Sequence, residues 1–119
     1  FHGVQAAAVR PVVAALNGEA WSHDDVLPTN ASGIAVSKPP RLAEMVEAIN
    51  STNGTGVTVS EESLIEWQKR LSSSEGIFAE MTSAGAFEGL RKLIESGVIE
   101  KDSNVCVPIT GSGLKEPLK

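Results

Sequence analysis

Two short stretches hold the side chains best suited to chemistry. Toward the C-terminal end, Val105-Cys106-Val107-Pro108-Ile109 runs into Thr110-Gly111-Ser112-Gly113 and then Leu114-Lys115. Hydroxyls set beside glycines can bond a polar ligand atom while the backbone passes close by, because glycine carries no Cβ. The same residues also make a plain turn. They fall short of a phosphate loop, with no GxxxxGK[ST] pattern and no helical stretch of useful length behind them. The second stretch centres on Glu80, which follows the apolar Ile77-Phe78-Ala79 and precedes Thr82 and Ser83, residues able to cap a helix. The plain reading of Glu80 is an anion near the positive end of that helix, an effect of ~0.3–1 kcal/mol.

Metal and thiol chemistry have less to stand on. Cys106, His2 and His23 are the chain's soft or imidazole ligands, and they show no CxxC or HxxxH spacing. Asp24 and Asp25 beside His23 read as a solvated acidic loop, since no calcium-loop pattern follows. Within an apolar run, Cys106 is expected to be a buried, inert thiol. A lone cysteine forms no internal disulfide, which favours a reducing, cytoplasmic setting. The glycosylation patterns at Asn30, Asn50 and Asn53 read as chance matches in polar turns.

The elements that must position these groups belong to one ordinary domain of 119 residues, 41% hydrophobic and 21% charged. A net charge of −5 without a basic run argues against nucleic acid and against an acidic membrane surface as partners. No apolar run approaches the ~20 residues needed to span a bilayer. Residues 1–5 read as the end of a strand, and 6–16 as a buried helix with Pro11 in its first turns. A long connection over 17–30 precedes a short strand at 33–37. Leu42, Met45, Val46 and Ile49 then share one helical face. Residues 56–60 alternate like a strand, and Ser60 caps a helix carrying Leu64, Ile65, Trp67 and Leu71. After a short apolar segment at 76–80, a helix from about residue 83 to 96 buries Phe87, Leu90, Leu93 and Ile94, and Gly97 terminates it. Residues 104–109 read as a final strand covered on both faces, with Pro108 marking its end or a bulge. The alternation gives an α/β fold, part of an open, mostly parallel sheet with helices on both faces. Ligands in such sheets bind beyond the carboxyl ends of strands, where Thr110 lies.

Residues 75–117, EGIFAEMTSAGAFEGLRKLIESGVIEKDSNVCVPITGSGLKEP, resemble the C-terminal stretch of the threonine synthases. These are pyridoxal-phosphate enzymes of the tryptophan synthase β-subunit fold (fold type II). Family members commonly show an EGIF-like strand, Glu-Pro-x-Ala/Ser-Ala, a helix, an apolar strand and a T-G-x-G-L-K-D-P ending. Here Met81 replaces the proline, Ser112 a frequent His or Asn, and Glu116 the Asp. GVQAAAVRPVVAAL and NASGIAVSKPPRLAEMVEAI resemble upstream family segments, the second with Ser37-Lys38 where Gly-Asn is usual.

The resemblance implies pyridoxal phosphate as cofactor and Thr110 as the residue whose hydroxyl meets the pyridine nitrogen, donating to it when unprotonated. It places the glycine-rich phosphate loop and the Schiff-base lysine upstream of Phe1, leaving no catalytic residue within 1–119. Lys38, followed by two prolines, is an ordinary exposed lysine and not that group. The chain is thus expected to be the C-terminal part of the larger cofactor-binding α/β domain, inactive alone and completed by an N-terminal part of the same protein. The implied enzyme is a lyase converting O-phosphohomoserine, a phosphorylated amino acid, and water to threonine and phosphate, as a homodimer. The alternatives are a serine/threonine dehydratase or β-replacement enzyme of the same fold, or a non-catalytic α/β binding or regulatory module.

Overall fold

In a computed structural model, residues 1–116 are described. Strands β1 (Gly3–Ala6) and β2 (Gly56–Val59) pair in parallel, Gly3 opposite Gly56 and Ala6 opposite Val59. Parallel neighbours need a crossover, supplied here by α1 (Pro11–Asn17) and α2 (Leu42–Ser51). Alternation along the strands separates two faces. Gln5 turns toward α1, where its Oε1 accepts the N–H groups of Val12 and Val13 at 2.9 and 3.0 Å. Those are the unpartnered donors of a helix whose N-cap, Arg10, makes no side-chain cap bond. Val4 and Ala6 face the other way, toward α3 (Glu61–Glu75) and α4 (Met81–Glu95). Ala6 joins Val59, Leu64 and Met81 in the core, and a Cβ on Gly89 of α4 would meet Val4 Cγ2 at 2.4 Å. Helices therefore cover both faces.

The two long helices start and stop where their end residues direct. Ser60 Oγ accepts the Ser63 N–H at 3.2 Å, Glu61 and Glu62 occupy the first turn of α3, and Gly76 ends it at φ 69°. Trp67 of α3 stacks on Phe87 of α4 with centroids 6.0 Å apart. Gly97, at φ 77°, follows α4 as expected.

Several expected elements differ. The helix expected over 6–16 begins only at Pro11, because Ala6 completes β1 and the chain turns through residues 7–10. Residues 33–37 form no strand. Ser32–Ile34 is a 3-10 turn, and the Gly33 N–H donates to Thr82 Oγ1 at 3.1 Å. The helix expected from residue 83 starts at Met81. Segment 76–80 contributes a single antiparallel bridge, Ala79 with Ser112. Segment 104–109 joins no ladder among the described residues, and Val105, Cys106 and Ile109 are exposed. The expectation of a buried Cys106 thiol is overturned: the segment joins no ladder among the described residues, and Cys106 is exposed. No helix of the described residues is long and apolar enough to cross a membrane.

Candidate functional site

The Ala79–Ser112 bridge brings the two chemistry-bearing stretches together. Glu80 N–H donates to Gly111 O at 3.0 Å and Gly113 N–H to Phe78 O at 2.8 Å. Gln68, buried on α3, anchors the first strip by donating from Nε2 to Ala79 O at 2.8 Å. The second is held by Glu116, whose carboxylate accepts the Met81 N–H and the Ser32 hydroxyl, both at 3.2 Å. Pro117, the last residue of the T-G-x-G motif region, lies outside the described residues.

Glu80 sits at the N-cap of α4, yet its carboxylate accepts none of the helix's own N–H groups. It is 3% exposed and turns toward Thr110, whose Oγ1 donates to Glu80 Oε1 at 2.7 Å. Glu80 Oε2 is buried and pairs with the Lys115 ammonium. Ser83, on the first turn of α4, completes the cluster. Its Oγ accepts the Thr110 N–H at 2.9 Å and lies 2.8 Å from Thr110 Oγ1. Lys115, then the Thr110 hydroxyl, hold the Glu80 carboxyl below the usual carboxylate range against the opposing effect of burial. The Lys115 ammonium is raised in turn by Glu80. The positive end of α4 adds a field of the same sense.

The glycines of the turn have a local reason that differs from a left-handed backbone. Neither Gly111 nor Gly113 has a positive φ. A Cβ on Gly111 would lie 2.7 Å from Glu80 Cδ and Oε1, and one on Gly113 would lie 2.8 Å from the Phe78 ring and 2.9 Å from Ala79 O. Close approach to Glu80 and Phe78 is what excludes a side chain at both positions.

Thr110, the site residue expected from the sequence, is thus exposed itself but built into a buried acid–hydroxyl cluster. Glu80 stands at the helix entrance as expected, with its carboxylate directed elsewhere. Thr82 and Ser83 do not cap the helix: their hydroxyls serve Gly33 and Thr110. Nothing local in the sequence gives Lys115 a role; its place two residues past the T-G-x-G turn is the available signal. Lys38 is exposed and lies outside the cluster. Asp25 accepts the Ser22 N–H at 2.7 Å as part of a capping box on the 3-10 turn His23–Asp25, a structural use of the acidic loop.

The sequence profile of the pyridoxal-phosphate dependent enzymes matches residues 1–111. The chain belongs to that family. It is similar to the threonine synthase of Methanocaldococcus jannaschii, 37% identical over 97% of this chain and 29% of that protein. The threonine synthases of Methanosarcina acetivorans and Mycobacterium leprae are 35% and 33% identical over 97% of the chain, covering 29% and 30% of their own lengths. The chain therefore spans about three-tenths of the length of these curated relatives.

The family's cofactor is pyridoxal phosphate, and the cluster can be tested against one end of it. A threonine hydroxyl has one proton and two lone pairs. The proton of Thr110 goes to Glu80, and the Ser83 hydroxyl lies within hydrogen-bond distance. Thr110 is exposed, so its hydroxyl can turn that proton from Glu80 toward a ligand, which is the contact an unprotonated ring nitrogen requires. The residues fit that end of the cofactor.

Proposed function

We propose that this chain is the C-terminal part of the cofactor-binding α/β domain of a pyridoxal-phosphate-dependent lyase of the threonine synthase type. Its substrates would be O-phosphohomoserine and water, and its products threonine and phosphate. An N-terminal part of the same protein would supply the lysine and the phosphate loop, and the enzyme would work as a cytoplasmic homodimer. The observation that carries this reading is the placement of Thr110, in the T-G-x-G turn, with its hydroxyl at the edge of a buried charged cluster. When bound, the cofactor supplies the electron sink that draws charge from the substrate carbon.

The chain's own residues contribute positioning. Thr110 would hold the ring nitrogen, and Ser83 fixes the Thr110 backbone and hydroxyl. Glu80, paired with Lys115, holds the hydroxyl until a ligand claims its proton, and Gly111 lets the turn lie flat against the carboxylate. The test uses the full-length protein: phosphate and threonine should appear from O-phosphohomoserine, and ammonia release from serine or threonine should be minor. Thr110→Val should weaken pyridoxal phosphate binding by on the order of 1–3 kcal/mol, while Thr110→Ser should stay close to wild type. A valine variant with unchanged cofactor affinity and turnover overturns the assignment, and absence of cofactor binding in the wild type would leave a non-catalytic module.

A further inference from the structure

Resting on the reading above, we propose that Glu116 is a positioning residue of the cofactor site: its carboxylate caps α4 from outside the helix and ties the loop 29–33 to that helix end. The need for such a group starts with Glu80. It occupies the N-cap of α4, but its side chain makes no cap bond and turns to Thr110 instead. The first N–H groups of a helix have no partner within it, and that end carries a positive field. Glu116 Oε2 accepts the first of these N–H groups, from Met81, at 3.2 Å. It supplies, from 35 residues along the chain, the acceptor and the negative charge that an N-cap side chain normally gives.

The turn is folded to deliver this carboxylate. Ser112 Oγ accepts the Leu114 N–H at 3.2 Å, and the Glu116 N–H donates to Gly113 O at 3.1 Å, closing the 3-10 turn Gly113–Lys115. Consecutive residues then meet consecutive residues, Lys115 at Glu80 and Glu116 at Met81. The segment from Thr110 to Glu116 is thereby fastened to the first turn of α4 at both ends, by Ser83 at Thr110 and by Met81 at Glu116.

The second oxygen of Glu116 reaches a different element. Oε1 accepts the Ser32 hydroxyl at 3.2 Å, and the next residue of that loop, Gly33, donates its N–H to Thr82 Oγ1 at 3.1 Å. Upstream, Glu61 at the start of α3 accepts the Thr29 hydroxyl at 2.6 Å and the Asn30 N–H at 2.7 Å, and Ala31 is fully buried in one core cluster with Met81. The loop is thus held to α3 at one end and to α4 at the other. Removing the Glu116 carboxylate loosens the helix turn that carries Ser83, the far end of the segment that carries Thr110, and the loop beside them. Glu116 touches no ligand in this account; it acts through Ser83 and Thr110.

The test uses the full-length protein. Glu116→Ala removes both bonds, whereas Glu116→Gln keeps an oxygen for the Met81 N–H and an amide for Ser32 while losing the charge. Two readouts are taken well below the melting temperature: amide hydrogen exchange by mass spectrometry over residues 29–34, and pyridoxal phosphate affinity by equilibrium dialysis. In Glu116→Ala, exchange over 29–34 should rise while that of β2 stays as in the wild type, and the cofactor should bind about three- to tenfold more weakly. Glu116→Gln should recover most of both. Ser32→Ala, altering an exposed side chain, should also raise exchange over 29–34 with a smaller loss of affinity, and it carries the test if Glu116→Ala does not fold. A cap with a structural role alone would lower the urea midpoint and leave cofactor affinity within about twofold of the wild type. That result overturns the proposal, as does unchanged exchange over 29–34 or a glutamine variant as weak as the alanine one. Bound cofactor indifferent to Glu116 refutes this proposal alone, whereas no bound cofactor in the wild type refutes the reading beneath it.

Discussion

Gly111→Ala is the sharpest probe of how the site is built. The added Cβ would lie 2.7 Å from Glu80 Cδ and Oε1 and 2.9 Å from Oε2, well inside ordinary contact distance. A surface glutamate would swing away at little cost. Glu80 is 3% exposed, bonded to Thr110 and paired with Lys115, so moving it breaks at least one of these contacts. Overpacking typically costs about 1–3 kcal/mol, and a buried polar atom left unpaired costs about as much again. Because both arise from the same atoms, the expected loss is about 2–4 kcal/mol and not their sum. Urea unfolding of the full-length protein should show it as a lower midpoint at unchanged slope. Gly76→Ala makes the control: nothing lies within 4 Å of its added Cβ, and only the strain at φ 69° remains, ~1–2 kcal/mol. The decisive measurement is the double variant. With Glu80→Ala the clashing atoms are gone, so Gly111→Ala should then cost under about 1 kcal/mol, a coupling of ~1–3 kcal/mol. Equal costs in both backgrounds would refute the close-approach explanation of this glycine.

Two further predictions concern the scaffold. Glu88, 5% exposed, takes two bonds from Arg91 and one from the Trp67 indole, and these hold its carboxyl down to about 2, with Arg91 the larger cause. Its folded value lies below the unfolded one of ~4.3, so its stabilisation is complete above that pH and lost as pH falls toward about 2. The loss should be about 1–3 kcal/mol, moderated because Arg91 is half exposed, and Glu88→Gln should flatten this part of the stability–pH curve. Ser60→Ala removes the cap of α3 and should lower stability by ~1 kcal/mol in the same urea assay; no change would show that the Ser60–Ser63 bond is unimportant.

The helices were legible because their signals are local. Ser60, Gly76 and Gly97 mark helix ends by their own chemistry, and Leu64, Leu71 and Leu93 recur at helical spacing on buried faces. The strands expected at 33–37 and 104–109 failed for a shared reason. A short apolar run has the signature of a strand covered on both faces, but a strand exists only with a neighbour, and neighbours are not written locally. Among the described residues the sheet has two strands, so Ile109 and Val105 remain exposed. Cys106 followed that error, since its expected burial was inherited from the strand.

The site shows the same division between local and distant signals. Thr110 stood out by a motif and Glu80 by its place before a helix, but Glu80 was assigned to its nearest partner. Sequence proximity gave Glu80 the N-terminus of α4; the structure gives it Thr110 and Lys115, thirty and thirty-five residues on. One bridge, Ala79 with Ser112, creates that proximity, and a single bridge leaves no periodicity to read. It also explains the pair of glycines around Ser112 without invoking a ligand, for both face atoms of the opposing strip, Glu80 and Phe78. What the turn presents outward is then fixed from behind. Gln68 anchors Ala79, Ser83 anchors Thr110, and the ion pair anchors Glu80, so the Thr110 hydroxyl is oriented by α3 and α4 before any ligand arrives.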